Sequence, residues 1–491
     1  MKNQKTDFSD LENKNFILDI SGMNSSGQGV GKIEGLTIFV AGAITGEKID
    51  AKVTELKKNY CIGKINKIIE PSPYRNVPFC EVFDNCGGCS LQHISYDYQL
   101  KYKTGKVRDE VERISGIKDI KINEIIGMEN PLNYRNKAEY FINNPAGSGF
   151  GNDFSNESGS GFGSESGSKF GIGFYARGSH EVVEHKTCHI CTVESNEIKN
   201  YFKELLGKNT IFNLKSLTVR KSFGTDEAMV IISAYENKNT NNPIVNSDAV
   251  SVHAETSTSV FKGLADNLAA KFPSIKSIYL NKIGKHHSTY DLILGKKTIR
   301  ENLSNYVFDI SPGSFFQVNT KGAEILFAAA LKYAGLTGSE EVLDLYCGTG
   351  ASTIIISGHC KIIIGVEVLK GAVDDAKANA RLNGAKNTGF VQGEALKMLR
   401  ELKRKNQGQE SIFDTAIIDP PRTGMEAEAI EAIANLKIKK IVYISCNPST
   451  LARDIKKFSE NGYLTIEIQP VDMFPHTEHV ECVALISRTD S

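Results

Sequence analysis

The 491-residue sequence predicts an α/β protein with three parts: a small N-terminal β-barrel, a central antiparallel β-rich domain and a C-terminal doubly wound parallel sheet. Three observations support this prediction. Short β-rich runs separated by glycine turns fill the N-terminal part, and strand and helix signals alternate through the last part, as in parallel sheets. Between them, further β-rich runs surround a tight group of cysteines. We place the domains at residues 8–70, 71–310 and 311–491.

Composition is that of a globular protein with a sizeable core, since 40% of the residues are hydrophobic and 24% are charged. The formal net charge is zero, which excludes a general electrostatic footprint for nucleic acid and leaves only local patches. No apolar stretch follows a basic N-terminal region, and no apolar run reaches the length of a membrane span. We therefore expect a cytoplasmic protein that does not insert into membranes.

The first part of the chain contains five strand-like runs between residues 15 and 70. Five short strands in so short a stretch predict a small closed barrel. Lysines recur along its second half and could follow a phosphate backbone, although an ordinary solvated surface explains them equally well. These lysines are Lys48, Lys52, Lys57, Lys58, Lys64 and Lys67.

A cysteine group follows, in which Cys80, Cys86 and Cys89 have the spacing Cys-x5-Cys-x2-Cys. Without a secretion signal, such a group favours metal binding over disulfides. Only one CxxC unit is local, so the pattern indicates a cubane iron–sulfur cluster with one remote ligand rather than a zinc knuckle. The candidates for the fourth ligand are Cys188, Cys191, His93 and Cys61.

The central part begins with an amphipathic helix over about residues 96–115, in which Leu100, Val107 and Val111 recur at helical spacing. A β-rich region follows and is interrupted by a Gly/Ser insertion at about 145–171 and a polar insertion at about 237–258. Neither composition can build a core. We interpret the remainder as one antiparallel domain around the cysteine group.

A strand followed by a glycine loop, residues 342–350, opens the last part. Glycines let the backbone approach a ligand, and Glu367 ends the next predicted strand, 23 residues after Asp344, where nucleotide cofactors often find an acidic ribose partner. The loop lacks the GxGxxG that a pyrophosphate needs, which favours S-adenosylmethionine over NAD. Asp419 ends a later strand, where two prolines either hold it beside the cofactor or form a surface turn.

Residues 441–445 form an apolar run that leads into Cys446, Asn447 and Pro448. This pattern predicts a buried strand with Cys446 at its carboxyl end, where open α/β sheets bind ligands. An isolated cysteine is more often a packed, inert thiol. Before the final strand, Glu478 and Glu481 are equal candidates for a base, with a solvated turn as the alternative.

A cysteine, a carboxylate and a methyl donor together suit one reaction. Carbon 5 of uracil is a poor nucleophile until a thiolate adds to carbon 6, and a base must remove the carbon 5 proton after methyl transfer. The thiolate is the reactive form of such a cysteine.

Three motifs, residues 419–422, 445–448 and 479–481, resemble those of the RNA uracil-5 methyltransferases. Apart from the two insertions, nearly the whole chain is similar to the 23S ribosomal RNA (uracil-C5) branch, which carries a TRAM domain and a [4Fe-4S] cluster. The resemblance implies a TRAM/OB-like barrel and a Rossmann-like methyltransferase domain that contacts the helix after the cysteine motif. Ala351 departs from the pattern, because some members have an Asn there that contacts the cofactor.

The resemblance also implies the site residues. Cys446 would be the nucleophile and Glu481 the base. S-adenosylmethionine would be bound by Gln317, Tyr346, Glu367 and Asp419. The [4Fe-4S] cluster would be held by Cys80, Cys86, Cys89 and Cys188, with Cys191 as a bystander.

We therefore expect a monomeric enzyme that makes 5-methyluridine in 23S ribosomal RNA. One alternative keeps the chemistry but acts on the T-loop uridine of transfer RNA. A second is a non-catalytic RNA-binding protein, which predicts a lost nucleophile or a lost acidic cofactor partner; this chain retains both. A third treats the cluster as a redox centre and expects a motif such as GxGxxG, which the sequence lacks.

Overall fold

The computed structural model describes residues 9–143, 170–207, 213–236, 254–285, 287–406 and 412–489. The two predicted insertions lie almost wholly outside these residues. Their predicted C-terminal limits are wrong, because Gly171 already begins a strand and residues 254–258 already belong to a helix.

The N-terminal part is a six-stranded sheet in the order β1-β5-β6-β4-β3-β2. Its two outer strands are consecutive in the chain, so the sheet curves around its own core. In β4 the residues Leu36, Ile38 and Val40 are buried in alternation, as a strand with one buried face requires. Every predicted run is a strand, and only the two-residue β2 was missed. The strands are β1 (Asn15–Asp19), β2 (Gly22–Met23), β3 (Gly29–Ile33), β4 (Leu36–Ala41), β5 (Lys48–Leu56) and β6 (Tyr60–Glu70).

A segment without regular secondary structure carries the cysteine motif and leads to helix α1 (Tyr96–Ser115) and the short strand β7 (Lys121–Ile122). The helix ends at Gly116, whose φ of 75° gives the left-handed terminus that glycine favours. Val107 and Val111 are buried in the core of the C-terminal sheet. The helix therefore packs on the C-terminal domain, as the family resemblance implied.

The central part is a seven-stranded sheet in the order β10-β9-β8-β11-β12-β13-β14, with two helices whose apolar residues share its core. The prediction of a purely antiparallel domain is wrong at one pair, because β12 and β13 are parallel. The reason is the connection between them, which contains a helix and can cross over the sheet. The elements are β8 (Lys137–Asn143), β9 (Gly171–Tyr175), β10 (Val182–Glu184), α2 (Val193–Leu206), β11 (Leu214–Lys221), β12 (Ala228–Tyr235), α3 (Ala254–Lys271), β13 (Ile275–Ile283) and β14 (Ser288–Gly295).

A hairpin then leads to an eight-stranded sheet in the order β19-β18-β17-β20-β21-β23-β22-β7. Strands β17 to β21 are parallel, as predicted, and β23 is antiparallel to both of its neighbours. Sequence reasoning missed β22. The elements are β15 (Ile299–Leu303), β16 (Tyr306–Ile310), α4 (Thr320–Ala334), β17 (Glu341–Leu345), α5 (Ala351–Ser357), β18 (Ile362–Glu367), α6 (Lys370–Leu382), β19 (Thr388–Gln392), α7 (Ala395–Asn406), β20 (Thr415–Ile418), α8 (Ala427–Asn435), β21 (Lys440–Ser445), α9 (Pro448–Glu460), β22 (Tyr463–Val471) and β23 (Glu481–Arg488).

Two apolar cores cover the two faces of this sheet, and α1 contributes to one of them. The carboxyl ends of β17, β18, β20 and β21 meet at one edge, and the antiparallel β23 begins at the same edge. Ligands of open α/β sheets bind at this edge, where the strand order reverses. Within the described residues, no helix has the length and apolar character needed to cross a membrane.

Candidate active site

The glycine loop after β17 adopts a backbone that most residues avoid. Tyr346, Gly348 and Gly350 have φ values of 66°, 54° and 82°. A Cβ at Gly350 would lie 2.9 Å from the Cβ of Ala376, so only glycine fits there. The Gly348 N–H donates to Glu367 Oε2 at 3.2 Å, which ties the loop to the end of β18.

Two carboxylates support this loop. Glu367 also accepts a 2.8 Å hydrogen bond from the Leu369 N–H, so its side chain is held at the end of β18. Asp344 lies fully buried beneath the loop, where burial raises its pKa to about 6. Its Oδ2 accepts hydrogen bonds from Ser352 and Thr353, but its Oδ1 has no partner among the described residues. An unpaired buried carboxylate oxygen is the kind of group that a cationic or N–H donor of a ligand would satisfy.

Asp419 and Gln317 approach the same loop from two other segments. Asp419 follows β20, where its N–H donates to the Leu345 carbonyl at 3.3 Å. Burial and then the charge of Asp344 raise the pKa of Asp419 to about 7. The segment of Gln317 is joined to the glycine loop by the Thr349 hydroxyl, which donates to the Phe315 carbonyl at 3.4 Å. The segments that carry the four residues predicted to bind the cofactor thus meet at this loop.

Cys446 follows β21 at the same edge. Ser445 pairs with Cys482 of β23, so the next positions across this antiparallel pair are Cys446 and Glu481. Burial raises the pKa of the Cys446 thiol to about 11, and the charge of Glu481 adds to the shift. The predicted nucleophile and the predicted base are therefore brought together, although they are 35 residues apart in the chain.

Glu481 is buried, and burial followed by the charge of Asp419 raises the pKa of its carboxyl to about 8. Arg422 opposes the shifts of both Glu481 and Cys446. Arg422 is the last residue of the 419–422 motif, and the sequence predicted no role for it. The sequence signal that could have identified Arg422 is its position just past the proline turn, which directs this residue towards the strand ends.

Glu478, the rival candidate for the base, lies in a different environment. Burial disfavours its ionisation, but a hydrogen bond from the Ser90 hydroxyl, a backbone N–H and nearby His479 and Lys106 outweigh burial and lower its pKa. A carboxylate held in this way is a poor proton acceptor, whereas Glu481, with its raised pKa, is a better one. The raised pKa of Glu481 thus favours it over Glu478 as the base.

A cavity of about 670 Å³ lies between the central domain and the C-terminal sheet. The thiols of all four predicted cluster ligands line it, together with Cys191. From the C-terminal side, Gln317, Arg422 and His479 contribute to its wall. Cys446 and Glu481 are not part of that wall. The walls also include residues that sequence reasoning missed, namely Arg135, Phe174, Tyr175, Arg177 and Phe315.

The thiols around this cavity influence one another. Burial raises the pKa of Cys89 to about 12, and the charges of Cys188, Cys86 and Cys80 disfavour its ionisation further. A hydrogen bond with Cys191 lowers the pKa of Cys188. Cys61 and His93, the other candidate ligands, lie elsewhere: Cys61 is in the barrel core and His93 packs near Phe83.

Four cysteine thiols are a donor set that suits either zinc or an iron–sulfur cluster. Within the described ranges, no three His, Cys, Asp or Glu side chains are close enough together to hold one metal ion. The four cysteines share one feature, their place in the wall of one cavity, and their assignment as cluster ligands stays a prediction.

Comparisons with known proteins identify the family to which the chain belongs. The family model described as tRNA (Uracil-5-)-methyltransferase matches residues 250–489, and that of the TRAM domain matches residues 13–65. A similar protein, described as an uncharacterised RNA methyltransferase of Caldanaerobacter subterraneus subsp. tengcongensis, is 39% identical over 96% of this chain and 98% of its own. Another of the same description, from Clostridium tetani, is 37% identical over 98% of both chains.

Among solved structures, the chain is similar to the Pyrococcus abyssi tRNA (uracil-54, C5)-methyltransferase, determined in complex with S-adenosyl-L-homocysteine. The TM-score is 0.67 at 25% identity, covering 96% of this chain and 100% of that one. The similarity therefore spans all three parts of the fold. Together with the full-length relatives and the two family models, it shows that the chain belongs to the RNA uracil-5 methyltransferase family and carries an N-terminal TRAM domain.

Proposed function

We propose that the protein methylates carbon 5 of a uridine in RNA, with S-adenosylmethionine as methyl donor, Cys446 as nucleophile and Glu481 as general base. The observation that carries this proposal is the juxtaposition of Cys446 and Glu481 across β21 and β23, at the strand ends beside the glycine loop. A thiol and a buried carboxylate of raised pKa are the two groups that the chemistry requires.

Each residue has one task in the reaction. Cys446 adds as the thiolate to carbon 6 of the uracil, and the electrons of the C5–C6 double bond pass to O4 as an enolate. S-adenosylmethionine would supply the methyl group: carbon 5 of the enolate accepts it, the O4 carbonyl forms again, and S-adenosylhomocysteine leaves. Glu481 then accepts the carbon 5 proton, the C6–S bond breaks, and the double bond and the free cysteine are restored. Arg422 favours the charged forms of both Cys446 and Glu481.

The residues around the glycine loop suit a donor without phosphates. Glu367 ends β18 with its carboxylate fixed by two backbone N–H groups and would accept hydrogen bonds from a ribose. The free Oδ1 of Asp344 and the partly exposed Asp419 would face cationic or N–H groups of the donor. Tyr346 and Gln317 complete the predicted set.

The cavity would receive RNA beside the reacting base. A base in a helix cannot reach Cys446 unless it leaves its stack. Phe315 is 67% exposed at the cavity wall, and Arg422, Arg135 and Arg177 supply positive charge there. Aromatic faces and cations of this kind stack on bases and neutralise phosphates.

A [4Fe-4S] cluster held by Cys80, Cys86, Cys89 and Cys188 would join two distant parts of the chain at this cavity. The four thiols facing one cavity support this assignment. The cluster would serve as a structural cross-link, and no step of the methylation needs it.

For the substrate we propose 23S ribosomal RNA, on the resemblance of the chain to that branch. The similarity to a tRNA (uracil-54, C5)-methyltransferase favours the T-loop uridine of tRNA as a second candidate. To test this, the protein is purified without oxygen and incubated with labelled S-adenosylmethionine and unmodified transcripts of either RNA, and the nucleosides are then identified.

Labelled 5-methyluridine from 23S RNA alone is the expected result, and its appearance from tRNA alone would replace the first substrate by the second. Cys446→Ala is the matched control and should give none. Failure to label either RNA, although the protein binds S-adenosylmethionine, would contradict the proposed activity.

A further inference from the structure

An irregular linker, residues 472–480, connects β22 to β23 and directly precedes the base Glu481. Asp472, His476 and Thr477 of this segment are buried. Buried backbone groups outside helices and sheets need partners from elsewhere, and here three carbonyls find them in side chains of other parts of the chain. These hydrogen bonds are Asn319 Nδ2 to the Met473 carbonyl at 2.9 Å, Lys103 Nζ to that of Phe474 at 3.0 Å, and the Tyr134 hydroxyl to that of Pro475 at 3.0 Å.

The segment that follows the last cysteine of the motif binds the same linker directly. The N–H groups of Ser90 and Leu91 both donate to the His476 carbonyl, each at 3.0 Å. The Ser90 hydroxyl accepts from the Glu478 N–H at 2.9 Å and donates to the Glu478 carboxylate. Ser90, which follows Cys89, is therefore hydrogen-bonded to Glu478, which lies three residues before Glu481.

Gln99 of α1 ties the two segments together. Its side-chain oxygen accepts from the His476 N–H at 2.9 Å, and its Nε2 donates to the Leu91 carbonyl at 3.0 Å. The side chain is fully buried, so water cannot replace these bonds. His476 has a φ of 66°, a conformation that a non-glycine residue keeps only where its surroundings impose it.

We propose that the cysteine segment, through Ser90 and Gln99, positions the general base Glu481 for removal of the carbon 5 proton. The inference rests on the proposed function and assigns the cysteine segment a part in one step of it. Ser90 touches no reacting atom, so it is a positioning residue. A displacement of about 1 Å from a distant change can cost about 100-fold in rate, which makes such positioning measurable.

The positioning acts on one step because the other groups lie on different elements. Cys446 is at the end of β21, and the glycine loop follows β17, so the linker carries neither of them. A loosened linker should therefore leave addition and methyl transfer intact and slow only proton removal. The methylated RNA would then remain bound to Cys446 for longer.

The test compares Ser90→Ala with wild type on two RNAs of the same sequence, one with uridine and one with 5-fluorouridine at the target. On uridine RNA, turnover should fall about 10-fold or more, and a covalent protein–RNA band should accumulate on a denaturing gel. On 5-fluorouridine RNA the same band should form at the wild-type rate, because no proton is removed there. Ser115→Ala, which removes another buried serine hydroxyl at the C-terminal end of α1, is the matched control and should behave as wild type on both.

Ser90 adjoins Cys89, a predicted cluster ligand, so iron content is measured in parallel. A second variant, Glu478→Ala, breaks the Ser90–Glu478 contact from the Glu478 side. The double variant should lose no more turnover than Ser90→Ala alone, since Ser90→Ala already removes the contact with the carboxylate that Glu478→Ala breaks. Normal turnover by both single variants, or band formation on 5-fluorouridine RNA slowed as much as turnover, would overturn the inference. Losses of turnover that add up in the double variant would likewise overturn the inference. If wild type itself formed no band on 5-fluorouridine RNA, the proposed function would fail instead.

Discussion

Two regions of this protein carry cysteine thiols, and the side chains that surround the thiols differ between the two regions. At the end of β21, Cys446 is half-buried, and its thiol is influenced by the carboxylates Glu481 and Asp419 and by the guanidinium of Arg422. In the central cavity, Cys89 is surrounded mainly by other thiols, whose charges disfavour its ionisation. Burial raises the thiol pKa in both regions, to about 11 for Cys446 and about 12 for Cys89.

The difference indicates what each region can do. A lone thiol beside a carboxylate and a cation can form and release a covalent bond, since one group takes a proton and the other favours the thiolate. Several thiols close together disfavour one another's ionisation, and a bound iron–sulfur cluster would supply positive charge that lets them ionise together. Loss of the Cys446 thiol should therefore leave the cysteine group of the cavity unchanged.

The largest expected effect is that of Cys446→Ala. Without the nucleophile, the rate of 5-methyluridine formation should fall about 10⁴-fold or more. Iron content should equal that of wild type, because Cys446 is outside the cavity. Both are read from the same preparation, by nucleoside analysis and by iron assay. Activity within tenfold of wild type would show that Cys446 is not the nucleophile.

Glu481→Gln should have the next largest effect, because loss of a general base costs about 10²- to 10⁴-fold. The variant keeps Cys446, so the methylated RNA should accumulate as a covalent adduct on a denaturing gel. Glu478→Gln changes a carboxylate three residues away and should lose about tenfold at most. If Glu478→Gln were the more severe of the two, the assignment of the base would be reversed.

The cysteine region is tested by Cys86→Ala beside Cys191→Ala. Loss of a cluster ligand should lower iron content and, because bound groups stabilise the folded state, reduce the midpoint of thermal unfolding by about 5 °C or more. Cys191→Ala removes a buried thiol from the same cavity and should keep the iron. Equal iron loss in both variants would place Cys191 among the ligands.

The smallest effect concerns pH. A base accepts a proton only when it is ionised, and the pKa of Glu481 is raised to about 8. Decay of the covalent adduct on uridine RNA should therefore quicken about tenfold per pH unit between pH 6 and pH 7.5 and level off above about pH 8. Arg422 favours ionised Glu481, so Arg422→Gln should move the midpoint upwards. A decay rate that does not change with pH would argue against Glu481 as the base.

Much of the catalytic sheet could be predicted because its signals are local. An apolar run stopped by proline predicts a strand end, and in this way Cys446 and Asp419 were placed correctly at the carboxyl ends of β21 and β20. Strand β22 was missed since its pattern is inverted: Leu464 and Ile466 are exposed, whereas Thr465 is buried. Alternation of polarity therefore gave no guide to the buried face.

Other features depend on contacts between distant residues and could not be predicted. The parallel pairing of β12 with β13 depends on a crossover, and sequence alone does not say which strands become neighbours. The choice between Glu478 and Glu481 depends on Ser90, a residue 388 positions from Glu478. No periodicity within the chain reports a partner at that distance.

The most direct test of the central claim is covalent capture with RNA that carries 5-fluorouridine at the target position. Fluorine at carbon 5 cannot leave as a proton, so the product should stay attached to the protein after methyl transfer. The account predicts a band shift that requires S-adenosylmethionine, with the RNA attached to the peptide that contains Cys446. Attachment at any other cysteine, or no attachment by a protein that methylates the uridine RNA, would contradict it.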